Sequence, residues 1–286
     1  MKTNILKAIC NLIEFNRSDI MQIFNGSNRI NNVGTGLEYF IKDIFCGSLE
    51  YGTLLEKDKA YSKYLSCIGD QNHPPDFMIS DGDAVEVKKI ESLNSDIALN
   101  SSYPKSKLFA DSEMITGNCR NCEKWVSKDI IYSIGAINPR KKTCLKILWM
   151  VYGDCYASDK ETYESVKSKI SKGVNQMNGV VFSKTKEFGR VNNVDPLGIT
   201  YLRIRGMWGI ENPRSVFEYI VKVNEKDDFT LVALMKNEKY NSFPKEDIRN
   251  IEKIKNNNLS IADVEIKNPS NPAIFVPAKL IKYVIN

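Results

Sequence analysis

The stretch Pro74-Pro75-Asp76-Phe77-Met78-Ile79-Ser80-Asp81-Gly82-Asp83-Ala84-Val85-Glu86-Val87-Lys88 decides how the chain is read. Two short apolar runs flank Ser80-Asp81-Gly82-Asp83, and Asp-Gly between such runs is a strong hairpin signal. Alternate side chains of a strand share a face, so Glu86 and Lys88 point the same way while Val85 and Val87 point into a core. The hairpin returns the chain beside Asp76. Two carboxylates held that close repel each other unless a cation sits between them, and a hard, oxygen-seeking ion such as Mg²⁺ is the natural occupant. A lysine two residues on can orient or deprotonate a water and can stabilise a developing phosphorane charge. Metal, water and amine together describe phosphodiester hydrolysis. The plain alternative is a Glu-x-Lys on a solvated strand face.

Outward from this hairpin the elements alternate. Ile5, Leu6, Ile9, Leu12 and Ile13 fall at helical spacing and predict an opening amphipathic helix. A second helix is expected after Asn31-Asn32-Val33-Gly34-Thr35-Gly36, with Leu37, Tyr39, Phe40, Ile41, Ile44 and Phe45 as its apolar surface and Glu38 near its start. Strands are expected at Leu145 to Tyr152, Ile199 to Arg205 and Thr230 to Met235, with a helix around Glu161 to Ile170 and a polar stretch at Asn256-Asn257-Asn258. No repeat, low-complexity segment or linker interrupts them. The reading is a single α/β domain: residues 1–225 as the core with its recognition elements, and residues 226–286 as a small C-terminal extension packed on it.

Composition excludes the extremes. With 286 residues, 40 Lys plus Arg, 35 Asp plus Glu and 42% hydrophobic residues, the chain is an ordinary globular one with a net charge of +5. No apolar run reaches membrane-spanning length, and Met1 to Phe15 carry Lys7 and lack a small-residue cleavage site, so no membrane association and a cytoplasmic location are expected. The seven cysteines, Cys10, Cys46, Cys67, Cys119, Cys122, Cys144 and Cys155, are scattered, which suggests a reducing compartment and buried or idle thiols. Cys119-x-x-Cys122 has metal-like spacing, but Cys144 and Cys155, eleven apart, supply no second knuckle. One histidine, His73, leaves chemistry to carboxylates and lysine.

The charge is unevenly spread. Residues 1–137 carry 15 basic and 18 acidic side chains, residues 138–214 carry 14 and 7, and residues 215–286 carry 11 and 10. The surplus begins at Pro139-Arg140-Lys141-Lys142, runs through Lys160 to Lys172, and reaches Lys184, Lys186, Arg190, Arg203, Arg205 and Arg214. Such a concentration suggests a polyanion partner, since each neutralised phosphate releases counterions. A solvated basic face is the alternative.

Pro75-Asp76, nine intervening residues and Glu86-Val87-Lys88 resemble the PD-(D/E)XK nuclease signature, which implies a mixed central sheet flanked by helices. A closer resemblance, to the NgoPII type of type II restriction endonuclease, rests on four blocks. These are Asn28-Arg29-Ile30-Asn31-Asn32-Val33-Gly34 with Leu37-Glu38-Tyr39-Phe40, Pro74-Pro75-Asp76 through Glu86-Val87-Lys88-Lys89, Ala98 to Lys105, and Arg203-Ile204-Arg205-Gly206-Met207-Trp208-Gly209. The resemblance implies a Mg²⁺-dependent enzyme that cuts double-stranded DNA at GGCC, with Asp76 and Glu86 as metal ligands and Lys88 positioning the attacking water. A cognate DNA methyltransferase follows as its functional partner. Glu38 resembles the extra acid that many superfamily members place near the metal; otherwise it is a glutamate near a helix N-terminus, favoured by the dipole.

A site-specific nuclease also needs groups for base edges. Arg203 and Arg205, two apart, share a strand face, and guanidinium forks are bidentate partners for guanine N7 and O6. Trp208, Asn212 and Arg214 follow; phosphate contact is the alternative for each arginine. Asn100, Ser101, Ser102 and Lys105 lie in a polar turn and are expected at the sugar-phosphate backbone, with Lys160 to Lys172 adding general attraction. A palindromic target calls for a homodimer. The rival readings are a PD-(D/E)XK nuclease with another target or a repair role, and a non-catalytic DNA-binding regulator.

Overall fold

The computed structural model describes residues 2–20, 29–70, 73–183, 185, 187–254 and 257–286. Asn28, Lys184, Lys186 and Asn256, named above, lie outside these residues, as do the side chains of residues 29–33. Three helices come first: α1 (Ile5–Phe15), α2 (Arg29–Cys46) and α3 (Leu54–Tyr64). The periodicity predicted for α1 is realised, with Ile5, Leu6, Ala8, Ile9 and Leu12 buried. The Asn4 side chain accepts from the amides of Leu6 and Lys7 at its start, and Asn16 closes it in the left-handed region at φ 50°. Thr53 and Glu56 form a reciprocal capping box on α3. α2 begins earlier than the sequence suggested, so Glu38 sits in mid-helix and the dipole account of it falls away.

The antiparallel strands β1 (Leu65–Asp70), β2 (His73–Ile79) and β3 (Ala84–Ile90) follow. Next come β4 (Ile97–Asn100), β5 (Lys107–Phe109), the short α4 (Gly117–Asn121), β6 (Ser127–Ile137) and β7 (Leu145–Tyr152). After α5 (Gly153–Tyr156) and α6 (Lys160–Asn175) lie four short strands: β8 (Val181–Phe182), β9 (Gly189–Asn192), β10 (Leu202–Ile204) and β11 (Trp208–Ile210). The chain ends with α7 (Pro213–Val216), β12 (Phe229–Lys236), α8 (Asn237–Ser242), α9 (Lys245–Glu252), β13 (Leu259–Asn268) and β14 (Asn271–Ile285).

The central sheet runs β1-β2-β3-β6-β7-β12-β14-β13, with β5 on the side of β6. β3 pairs β6 and β7 pairs β12 in parallel while the other rungs are antiparallel, which makes the sheet mixed. β7 and β12 are buried almost end to end, as strands covered on both faces must be. Ile199 to Arg205, expected as one strand, is regular only over β10, which pairs with β9 in a separate three-stranded sheet.

Residues 226–286 are not an appendage. They supply β12, β14 and β13 to the central sheet, and β12 lies directly beside β7. Only Thr230 to Met235 read as a strand in the sequence, because β13 and β14 are exposed along much of their length and neither carries the continuous apolar run of β12. The same segment also reaches the β2–β3 hairpin. Lys239 of α8 donates to Asp83 Oδ1 at 2.5 Å and to Asp129 Oδ2 at 2.7 Å, and the Tyr152 hydroxyl donates to Asp83 Oδ2 at 2.6 Å. Asp83 closes the β2–β3 turn, and burial pushes its pKa up against the pull of Lys239.

The expectation of buried or idle thiols holds for five cysteines, of which Cys46 and Cys155 are buried, and is corrected for two. Cys67 of β1 and Cys119 of α4 form a disulfide with Cα atoms 5.4 Å apart, so Cys119-x-x-Cys122 is not a metal knuckle. Among the described residues no helix is long and apolar enough to cross a membrane.

Removing one partner of a buried ion pair strands the other charge. Lys239→Ala is therefore expected to lower unfolding stability by about 3–5 kcal/mol in urea denaturation, and an unchanged midpoint would show that the Asp83 clamp is not structural.

Candidate active site

The ladder between β2 and β3 pairs Met78 with Ala84 and Phe77 with Val85, and then stops. Beyond it the Val87 amide is met by a side chain instead of a main-chain carbonyl: it donates to Asp76 Oδ2 at 2.6 Å. That contact sets Asp76 beside Glu86. Across the face, Lys88 Nζ lies 2.6 Å from Glu86 Oε1, so the alternation predicted for β3 holds. Glu86 is 7% exposed, and its second oxygen, Oε2, is buried with no hydrogen-bond partner among the described residues.

The electrostatics follow from this crowding. Burial first, and then the charge of Glu86, push the Asp76 carboxyl up to about 8, with Glu38 adding to the rise; Lys88 and the Val87 amide pull the other way. Burial disfavours the Lys88 ammonium, but Glu86 and Asp76 outweigh it and hold its pKa above the usual lysine value. Glu38 comes from α2, and Lys42 one turn along donates to its Oε1 at 3.1 Å. Lys42 is 5% exposed and lies over the Tyr39 ring at 4.4 Å, which fixes the glutamate's direction. The structure thus brings Asp76, Glu86 and Lys88 together, with Glu38 within electrostatic reach.

Among the described residues no three His, Cys, Asp or Glu side chains converge as a self-sufficient metal cage. Mg²⁺ does not need one. It dehydrates reluctantly and is commonly held by one or two carboxylates, with water and substrate phosphate completing its shell. An orphaned, buried Glu86 oxygen next to a carboxyl destabilised by another acid is the donor set such an ion fits.

The residues expected on nucleic acid divide into two groups. Arg203 and Arg205 share a face as predicted, with side chains 51% and 55% exposed, and both are tied to Glu187. They line an open cavity of about 410 Å³ with Ser101, Arg190, Tyr201 and Trp208. β11 pairs with β4, setting Trp208 opposite Asn100 and joining the arginine loop to the turn after the β3 hairpin. Asn100 is exposed at φ 54°, Ser101 accepts from Arg205 Nη2 at 3.4 Å, and Ser102 is half-buried beside them. α6, carrying Lys160 to Lys172, has no buried residue.

Three expectations change. Asn212 is fully buried: its side chain accepts from the Arg214 amide, donates to Ser95 O at 2.7 Å, and so caps α7. Arg214 is spent on Asn94 and Glu225. Lys105 is 6% exposed, over the Tyr103 ring at 4.3 Å in a cavity of about 250 Å³, where burial pushes its ammonium down to about 8 against the pull of Glu86 and Glu164. A polar run in sequence does not reveal that Pro104 and Lys105 turn inward. Sequence reasoning missed Lys42 and Glu187; the latter's one signal is that it is the only acid between Glu164 and Asp195.

The geometry is an acidic, lysine-bearing hairpin and an arginine-lined cavity. The model of the NgoPII restriction endonuclease family matches residues 3–267. The chain belongs to the NgoPII restriction endonuclease family. It is 45% identical over 280 residues to the type II restriction enzyme NgoPII of Neisseria gonorrhoeae, covering 98% of this chain and 99% of that one. No solved structure matches it. Family membership makes the chain a type II restriction endonuclease, a hydrolase of DNA, and removes the non-catalytic regulator from the readings.

β1 approaches β2 closely at Gly69, where a Cβ would lie 2.0 Å from the Pro75 carbonyl oxygen and 3.2 Å from that of Asp76. Gly69→Ala must therefore push the segment that carries Asp76. The expected result is a loss of about 1–3 kcal/mol in chemical denaturation together with slower DNA cleavage; unchanged stability would show that the approach tolerates a methyl group.

Proposed function

We propose that this restriction endonuclease hydrolyses double-stranded DNA with Mg²⁺ at a short palindrome, GGCC, through a PD-(D/E)XK site made of Asp76, Glu86 and Lys88. The observation that carries the reading is the pairing of Asp76 and Glu86 around a buried oxygen without a partner, with Lys88 on the same face. Asp76 and Glu86 would hold the cation. When bound, Mg²⁺ supplies Lewis-acid polarisation of the scissile phosphate and lowers the pKa of a bound water.

The chain's own residues do the rest. Lys88, an ammonium paired with a carboxylate, is a hydrogen-bond donor; it orients the attacking water and stabilises charge developing on the phosphate oxygens. Glu38, braced by Lys42, adds acidic charge at the edge of the site and is the third acid, and fourth residue, of the catalytic set. Val87 keeps Asp76 in place through its amide. Arg203 and Arg205 are exposed forks suited to guanine edges, and a GGCC site offers two guanines on each strand. Trp208, Asn100, Ser101 and Ser102 flank them and fit sugar-phosphate contacts. Each subunit of a homodimer would cut one strand of the palindrome, and a methyltransferase acting on the same sequence would protect the host's own DNA in the cytoplasm.

Plasmid DNA incubated with the enzyme and Mg²⁺ should give discrete fragments whose sequenced ends map to GGCC; intact plasmid or a smear would contradict the proposal. In the same assay Asp76→Ala and Lys88→Ala should abolish cutting while duplex binding persists. Full activity in either variant would place the chemistry elsewhere.

A further inference from the structure

Glu187 holds two arginines at once. Arg203 donates through Nε to Oε2 at 3.0 Å and through Nη2 to Oε1 at 2.6 Å, while Arg205 Nε lies 2.8 Å from the same Oε1. The Nη2 of Arg205 also reaches Ser101 Oγ at 3.4 Å. In both guanidinium groups the edge that carries Nε is thus occupied by protein. A guanidinium is a rigid fork with five donors, so occupying that edge leaves the outer Nη1/Nη2 end free among the described residues, and this end can give two parallel hydrogen bonds to guanine N7 and O6.

The clasp also sets a spacing. Residues two apart on a strand lie roughly 6.6 Å from each other, whereas stacked bases rise about 3.4 Å along one strand. Nitrogens from both arginines lie within 2.8 Å of one carboxylate oxygen, so the head groups converge towards the distance between neighbouring bases. The Glu187 side chain is 14% exposed while those of Arg203 and Arg205 are 51% and 55% exposed, so the acid lies behind the forks rather than in front of them. Arg190 stands opposite Arg203 in the β9–β10 register and stacks on Tyr201 at 4.1 Å. The hydrogen bond from Arg203 holds the Glu187 carboxyl below the usual glutamate range, with the charges of Arg203, Arg205 and Arg190 acting the same way against a smaller cost of burial.

We propose that Glu187 is a specificity-positioning residue, which turns the free ends of Arg203 and Arg205 towards adjacent guanines of one strand and withholds them from the phosphates of other sequences. The inference rests on the reading of these two arginines as base contacts. Its second half is electrostatic: one carboxylate among three arginines lowers the local surplus that would bind any DNA.

The test uses the full-length enzyme and two duplexes, one carrying the site mapped by end sequencing and one with a single base pair of that site changed. Glu187→Gln keeps the shape and removes the charge. The expected result is a fall of about tenfold or more in the ratio of cognate to altered-site binding, tighter binding to the altered duplex, and a salt dependence on that duplex steeper by about one phosphate contact. A ratio equal to that of the wild type overturns the proposal. Equal weakening on both duplexes also overturns it, since that is the effect of a residue that merely holds β9 and β10 together. Arg203→Ala and Arg205→Ala are measured alongside. If they lose discrimination and Glu187→Gln does not, the positioning role alone fails; if they keep it, the base-contact reading fails and the inference with it.

Discussion

The hydrogen bond from the Val87 amide to Asp76 Oδ2 fixes the position of the acidic charge. The β2–β3 ladder ends at Phe77 and Val85, and without a further main-chain rung the Val87 amide would be left for solvent. Asp76 takes that role, and in doing so it is forced beside Glu86 in a place where water does little to separate the two charges. That crowding pushes the Asp76 carboxyl up to about 8 and leaves Glu86 Oε2 without a hydrogen-bond partner among the described residues. Lys88 relieves only one of the four carboxylate oxygens. The charge that Lys88 leaves unbalanced is what the proposed divalent cation would take up.

Everything around the hairpin serves to keep it in that state. β1 backs β2 so closely at Gly69 that no side chain fits, and the Cys67–Cys119 disulfide fastens β1 to α4. β6 runs parallel to β3 through its whole length, pairing Glu86 with Tyr132 and Lys88 with Ile134 in register. From the far end of the chain, Lys239 of α8 reaches the turn at Asp83, so the C-terminal segment braces the hairpin from a distance. On the other side, β11 on β4 joins the arginine-bearing loop to the segment that leaves the hairpin, which links the arginine-lined cavity to the acidic hairpin.

Much of this was legible in the residues. The Asp-Gly turn, the alternation of Glu86 and Lys88, the buried stripe of α1 and the span Leu145 to Tyr152 are local patterns, and local patterns survive folding. What was not legible depended on partners distant in sequence. β13 alternates but slips phase after Ala262 and forms no continuous apolar run, Cys67 and Cys119 are 52 residues apart, and Asn212 looks like a surface amide until Ser95 is seen beside it. Lys105 reads as a phosphate contact in a polar run, yet Pro104 and Lys105 are buried against Tyr132, whose hydroxyl accepts from the Lys105 amide. Charge arithmetic located the basic surface but not Glu187, whose importance lies in being outnumbered by the arginines it holds.

In the proposed site, Asp76 and Glu86 are completed by a divalent cation and a phosphate. The most direct test is duplex binding at fixed ionic strength, with and without Ca²⁺ as an oxygen-ligated probe, in the wild type and in Asp76→Asn. In the wild type the cation should turn repulsion between carboxylates and phosphate into attraction and tighten binding by about tenfold or more, equivalent to roughly 1.4 kcal/mol; in Asp76→Asn most of that gain should vanish. Equal tightening in both proteins, or none in the wild type, would contradict the claim.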